Sequence, residues 1–169
     1  GKTVFLRAIA DLDENGGAAE TADIKRSRVS GAEWRRAVAY VPADSGWWAD
    51  TVSDHLSNSE RCQSLLVDLG LDVECLQWPV SRLSTGEKQR LALIRAHLLE
   101  PAVLLLDEPT AALDADATTA VERVVKRCLA AGATLVIVTH DAEQAGRFMA
   151  RSAIVCDGVL KLTGGGVEQ

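Results

Sequence analysis

Residues 102–106 constrain this chain more than any other stretch. The apolar run AVLLL lies between Pro101 and Pro109 and ends abruptly in two adjacent carboxylates, Asp107 and Glu108. It is too short to cross a bilayer. It has no polar alternation, so it suits a strand covered on both faces of a parallel sheet. Open α/β sheets bind ligands beyond the C-terminal ends of their strands, and the two carboxylates stand there. One can hold a metal and the next can handle a proton. Upstream, Leu83-Ser84-Thr85-Gly86-Glu87 opens an amphipathic helix. Its free N–H groups and small residues make an anion site. Ser84, followed three residues later by Glu87, also reads as a capping box.

Other segments follow from periodicity and punctuation. Residues 2–13 place Phe5, Ala8, Ile9 and Leu12 on one helical face, and Asn15-Gly16-Gly17 ends that helix. Residues 18–33 are polar, with Ile24 and Val29 as weak strand signals. Residues 37–41 read as a strand stopped by Pro42. Cys62, Leu65, Leu66 and Leu69 share a helical face ending at Gly70. Asp114 is a good N-cap for a helix that buries Ala117, Val121, Val124, Val125, Cys128 and Leu129. Residues 133–139 form a second buried strand, followed by His140 and a short helix over 143–149. Asp157-Gly158 predicts a hairpin between 152–156 and 159–163, and the tail Gly164-Gly165-Gly166 frays. The four cysteines show no metal spacing and sit in apolar contexts, which suits buried, reduced thiols and a cytoplasmic setting. A net charge of −6 argues against a nucleic-acid partner.

Several of these segments carry a family resemblance. LSTGE (83–87), VLLLDEP (103–109) and Ala112-Leu113-Asp114 resemble the signature motif, Walker B strand and D-loop of the ATP-binding cassette (ABC) ATPases. Gly1-Lys2-Thr3 resembles the end of a P-loop, and Thr139-His140-Asp141 after a strand resembles the H-loop. The resemblance covers essentially the whole chain. It implies that the first part of the P-loop and its strand precede Gly1.

The resemblance implies an α/β P-loop fold: a mostly parallel core sheet flanked by helices, an antiparallel β region over 18–33, and a small helical subdomain. Residues 1–169 would be one ATP-binding domain, with 44–82 as the helical insert. That insert is too short for the long coiled coils of chromosome-structure and break-repair relatives. ATP and Mg²⁺ are the implied ligands. Gly1 and Lys2 would cradle phosphates, Thr3 and Asp107 would hold Mg²⁺, and Glu108 would be the general base. His140 would contact the γ-phosphate. Ser84, Thr85, Gly86, Glu87 and Asp114 would complete a site on a second cassette, in a homodimer or heterodimer. A transmembrane subunit would be the further partner, placing the chain on the inner face of the cell membrane, and Trp47 and Trp48 are candidates for the groove that receives it. Two rivals share these motifs: a soluble ABC ATPase without a membrane partner, and a non-hydrolytic ATP clamp. Ala43 stands where the family's Q-loop has glutamine, Thr85 replaces a glycine and Glu87 a glutamine. The first two favour the clamp.

Overall fold

The computed structural model describes residues 1–148 and 151–162. Its centre is a parallel sheet ordered β1 (Val38–Val41), β2 (Val103–Asp107), β3 (Thr134–Val138). Tyr40 pairs with Leu105, and Asp107 pairs with Val138. Side chains alternate across a strand, so β2 feeds two cores. Leu105 packs with Leu6, Ala10, Trp34 and Val38 on one face. Leu104 and Leu106 join the larger core on the other. The expected three-layer α/β arrangement follows, with helices on both faces. No helix among the described residues is long and apolar enough to cross a membrane.

On the smaller face lie α1 (Lys2–Ile9) and α2 (Gly31–Ala37). The Trp34 indole N–H donates to the Ile9 carbonyl at 2.8 Å and ties them together. Helix α1 is shorter than its periodicity suggests and buries a different stripe. Leu6 and Ala10 are fully buried, while Phe5 and Leu12 are 38% and 42% exposed. The chain leaves the helix at Asp11, whose φ is +58°, so Leu12 never reaches the face. The expected antiparallel region over 18–33 reduces to one bridge between Glu20 and Lys25 and a 3₁₀ turn at Arg26–Arg28. Helix α2 takes the rest, because Ser30 and Glu33 form a reciprocal capping box.

On the larger face lie α3 (Glu60–Asp68), α4 (Thr85–His97) and α5 (Ala115–Ala130). The helical insert contributes a single α-helix, α3, with 3₁₀ turns around it. Cys62, Leu65, Leu66 and Leu69 are buried as expected, and Gly70 ends α3 with φ +66°. Val121, Val124, Val125 and Cys128 anchor α5. Strand β3 is only half-buried along Leu135–Val138 rather than enclosed. It occupies the edge of the described sheet, beyond β2. After α6 (Ala142–Arg147), β4 (Ala153–Cys156) and β5 (Val159–Leu162) form a separate antiparallel hairpin. Asp157 and Gly158 at its turn both have positive φ, as a type I′ turn requires. Cys62, Cys75 and Cys128 are buried free thiols, but Cys156 is exposed, because hairpin residues face solvent. The expected glycine tail, and the ends of the predicted helix and strand at Met149 and Thr163, lie outside the described residues.

Candidate active site

The C-terminal ends of β2 and β3 and the start of α1 converge. Asp107 ends β2 and is 3% exposed. Its Oδ2 accepts a 3.2 Å hydrogen bond from the Tyr40 hydroxyl. Burial, then the charge of Asp107, pushes the Tyr40 phenol up to about 12. The next residue, Glu108, has φ +49°, an uncommon conformation for a residue with a Cβ. Two backbone bonds hold it there. Its N–H donates to the Val138 carbonyl at 2.8 Å, and its own carbonyl accepts from Gln89 Nε2 at 2.7 Å. Its carboxylate reaches the loop that follows β3.

There it meets His140. The His140 backbone N–H donates to Glu108 Oε2 at 3.3 Å, and its Nε2 lies 3.2 Å from Oε1. Lys2 Nζ lies 3.4 Å from the same His140 nitrogen. Three residues singled out from sequence, 138 positions apart at the extremes, thus form one group. Thr3 is exposed in the first turn of α1, behind Gly1 at the N-cap. Ammonium, imidazole and helix N-terminus present donors and positive potential to an anion, with a carboxylate beside them.

The remaining predicted residues form a second group at the starts of α4 and α5. Ser84 caps α4, accepting the Glu87 N–H at 3.2 Å, while Glu87 Oε2 accepts the Ser84 N–H at 2.8 Å. That bond holds the Glu87 carboxyl below the usual carboxylate range. Asp114 caps α5, accepting from Ala117 N–H at 2.8 Å. Gly86 abuts the loop before α5: a Cβ there would lie 3.1 Å from the Ala112 carbonyl oxygen and 3.1 Å from Leu113 Cδ2. Thr85 is exposed. Among the described residues no hydrogen bond or ion pair joins this group to Lys2 or His140. A cleft of about 1000 Å³ runs between the groups, lined by Glu108, Thr110, Leu113, Asp114, His140 and Asp141 among others.

The family model described as ABC transporter matches residues 1–111. The chain belongs to the ABC transporter family. It is 33% identical over 179 aligned residues to the Fe(3+) ions import ATP-binding protein FbpC of Pseudomonas fluorescens, covering 97% of this chain and 51% of that protein. It is 44% identical over 111 residues to the aliphatic sulfonates import ATP-binding protein SsuB 1 of Rhodococcus jostii, covering 65% of this chain and 42% of the relative. The chain spans about half the length of the curated relatives it matches. Among solved structures, a dimeric ATP-binding cassette in a post-hydrolysis state with ADP and Pi superposes with a TM-score of 0.72. Its identity is 25%, over 86% of this chain and 72% of that one.

In this ABC chain the residue types at Asp107 and Thr3 suit Mg²⁺. Asp107 and Thr3 offer oxygen ligands, and Mg²⁺ characteristically takes one or two protein oxygens and fills its shell with water and substrate phosphates. Among the described residues there is no cluster of three or more His, Cys, Asp or Glu that would cage an ion alone. The cassette's Ala43 is exposed in the loop after β1, as is Asp44. Trp48 in the same loop is 72% exposed, while Trp47 packs against the larger core. Arg95 lies 4.8 Å over the Trp48 ring, and His55 contacts both indoles edge-on.

Tyr40 and Gln89 were not predicted as site residues. Tyr40 was legible in principle, since it falls on an alternating strand beside Leu105, two residues short of Asp107. Gln89 had no signal beyond being a polar residue on the inner face of α4.

Proposed function

We propose that this chain is the ATP-binding and hydrolysing part of an ABC transporter, working as a head-to-tail pair of cassettes. The observation that carries the reading is the convergence of Lys2, His140 and Glu108 at the C-terminal edge of a parallel sheet. Lys2 neutralises charge on the β- and γ-phosphates. Thr3 and Asp107 hold Mg²⁺, which when bound supplies positive charge against the phosphate oxygens. Glu108 orients a water and takes its proton as the water oxygen bonds to the γ-phosphorus and the bond to ADP breaks. His140 contacts the γ-phosphate and keeps Glu108 in place. Such catalysis is positioning and electrostatics rather than covalent chemistry. Glu108 becomes a stronger base when the closing dimer strips its water.

Ser84, Thr85, Gly86, Glu87 and Asp114 serve the opposite site, so each active site needs the signature of the partner subunit. The dimeric cassette structure supports that pairing. Residues 1–169 act as one ATP-binding domain with 44–82 as its helical insert. The groove of about 540 Å³ that includes Trp48, Arg95, His55 and Leu99 is the seat for a membrane subunit, holding the protein peripherally on the inner face of the cell membrane. The relatives named as import proteins support import as the direction. They differ in cargo, so none is assigned.

The test is MgATP hydrolysis by the intact protein, wild type against Glu108→Gln, with mass in solution recorded. Wild type should turn over, while the variant binds ATP, dimerises and stays inactive. ATP binding without turnover, even with the membrane subunit added, would instead establish the clamp that Ala43 and Thr85 favour. Full turnover with no membrane subunit to bind would establish the soluble ATPase.

A further inference from the structure

A polar circuit lines the wall of the cleft beside Glu108 and His140, with Gln144 and Glu122 buried and Arg147 and Asp141 reaching solvent. Gln144 on α6 is 1% exposed. Its Nε2 donates to Thr110 Oγ1 at 2.8 Å and lies 3.5 Å from Glu122 Oε1. Its Oε1 is buried without a hydrogen-bond partner. Glu122, 6% exposed on α5, receives the Arg147 guanidinium: Nε lies 3.0 Å from each carboxylate oxygen and Nη2 lies 2.8 Å from Oε1. Arg147 also reaches Asp141 Oδ2 at 3.4 Å. Asp141 in turn caps α6, accepting the Glu143 and Gln144 N–H groups. Thr110 follows Glu108 by two residues, and Asp141 follows His140 directly.

We propose that Gln144 is a positioning residue that clamps the segment after Glu108 to the segment after His140, with α5 as the fixed post. The proposal rests on the reading that hydrolysis runs through Glu108. Helix α6 spans only six residues, far too few to be stable alone. The Asp141 carboxylate that caps α6 and the Gln144 amide tie it to its surroundings. The amide acts here through its N–H groups alone. A buried carbonyl without a partner is unfavourable; holding Thr110 and Glu122 at once is what the position gains. The 3.2 Å approach of His140 to Glu108 is set at its two bases, Thr110 and Asp141, and Gln144 joins them. A purely packing role would need an apolar residue, not a donor aimed at a hydroxyl.

The test uses the intact protein with Thr110→Val, Thr110→Ser, Gln144→Met and the double Val/Met variant. Four quantities are read: kcat, KM for MgATP, Tm, and amide exchange at residues 139–141 without nucleotide. Thr110→Val and Gln144→Met should each lower kcat about tenfold, the scale of a small misplacement of reacting groups, with KM unchanged. The double variant should be no slower than either single one. Thr110→Ser, which keeps the acceptor, should keep the rate. The His140 amide, which donates to Glu108, should exchange faster in the Val and Met variants. Wild-type kcat and exchange in both singles would overturn the clamp. So would additive rate losses that track Tm and that serine does not relieve. If wild type hydrolyses no ATP, the functional reading fails separately, and amide exchange alone decides the clamp.

Discussion

The Tyr40 hydroxyl lies 3.2 Å from Oδ2 of Asp107 and donates to it across the β1–β2 pair. Tyr40 sits opposite Leu105, so it and Asp107 point to the same face, toward α1. The phenol caps a carboxylate with almost no access to water. Tyr40→Phe should therefore destabilise the fold by about 1.5–3 kcal/mol, the range for a lost hydrogen bond to a charged group. It should also weaken Mg²⁺-dependent ATP binding more than Mg²⁺-free binding, because Asp107 loses the bond that fixes its rotamer. Denaturant titration and nucleotide titration with and without Mg²⁺ measure the two effects. Equal loss in both nucleotide titrations would separate Tyr40 from the metal site.

The same contact predicts an alkaline limb in stability. Burial and the Asp107 charge raise the phenol from 10 to about 12, so the folded protein holds that proton more tightly than the unfolded chain. The contribution is complete below pH 10 and disappears as pH rises toward 12. Tyr40 is the chain's single tyrosine, so phenolate absorbance reports it alone. Native protein should titrate near 12, and the denatured chain near 10. The denaturation midpoint of Tyr40→Phe should fall less steeply across that window than the wild type's.

Gly86 leaves little room for a methyl group. A Cβ would press on the Ala112 carbonyl and Leu113 Cδ2 at 3.1 Å each, and the carbonyl belongs to a backbone that cannot swing aside freely. Gly86→Ala should destabilise by about 1 kcal/mol, at the low end of overpacking costs. The displaced segment leads straight into the Asp114 cap. ATP-dependent dimerisation should thus weaken beyond what the stability loss explains, as solution mass at saturating ATP would reveal. Unchanged dimerisation would show that the 112–114 segment takes no part in pairing.

The parts of this fold that were legible from sequence are those where one local rule dominated. VLLLDEP combined an unbroken apolar strand with charge at its end, and LSTGE combined a cap with an anion site. The strand and the cap formed as read. The misreadings fall where tertiary context decided. In α1, Leu6 and Ala10 fit the stripe facing Leu105 better than Phe5 and Leu12, because the chain turns at Asp11. At 30–33 the capping box outweighed the weak strand signals of Ile24 and Val29. In the site, Lys2, Glu108 and His140 were legible through motif order. Tyr40, Gln89 and Gln144 were not, since each acts through a partner more than 18 residues away in sequence.

Ser84 has two roles that one pair of substitutions can separate. In the folded chain it caps α4: its Oγ accepts the Glu87 N–H, and its own N–H and Oγ hold the Glu87 carboxylate. In the proposed dimer its hydroxyl would meet the γ-phosphate held by the other subunit. Ser84→Ala removes both roles and should cost about 1 kcal/mol of stability, as lost N-caps do. Part of the cap is itself pH-dependent. The Ser84 N–H and, to a smaller degree, its hydroxyl lower the Glu87 pKa. Alanine keeps the N–H, so only the hydroxyl's contribution separates the two proteins. That contribution is present above the ordinary carboxylate value of about 4.5. It is lost as pH falls through the lowered one, and the stability gap between wild type and Ser84→Ala should narrow in acid. Ser84→Asp keeps a good N-cap but sets a carboxylate against phosphate. Its Tm at neutral pH should stay closer to wild type than that of Ser84→Ala, while its ATP-dependent dimer should be lost more completely. An aspartate variant that still dimerises with ATP would mean that this residue caps its helix and does not touch nucleotide.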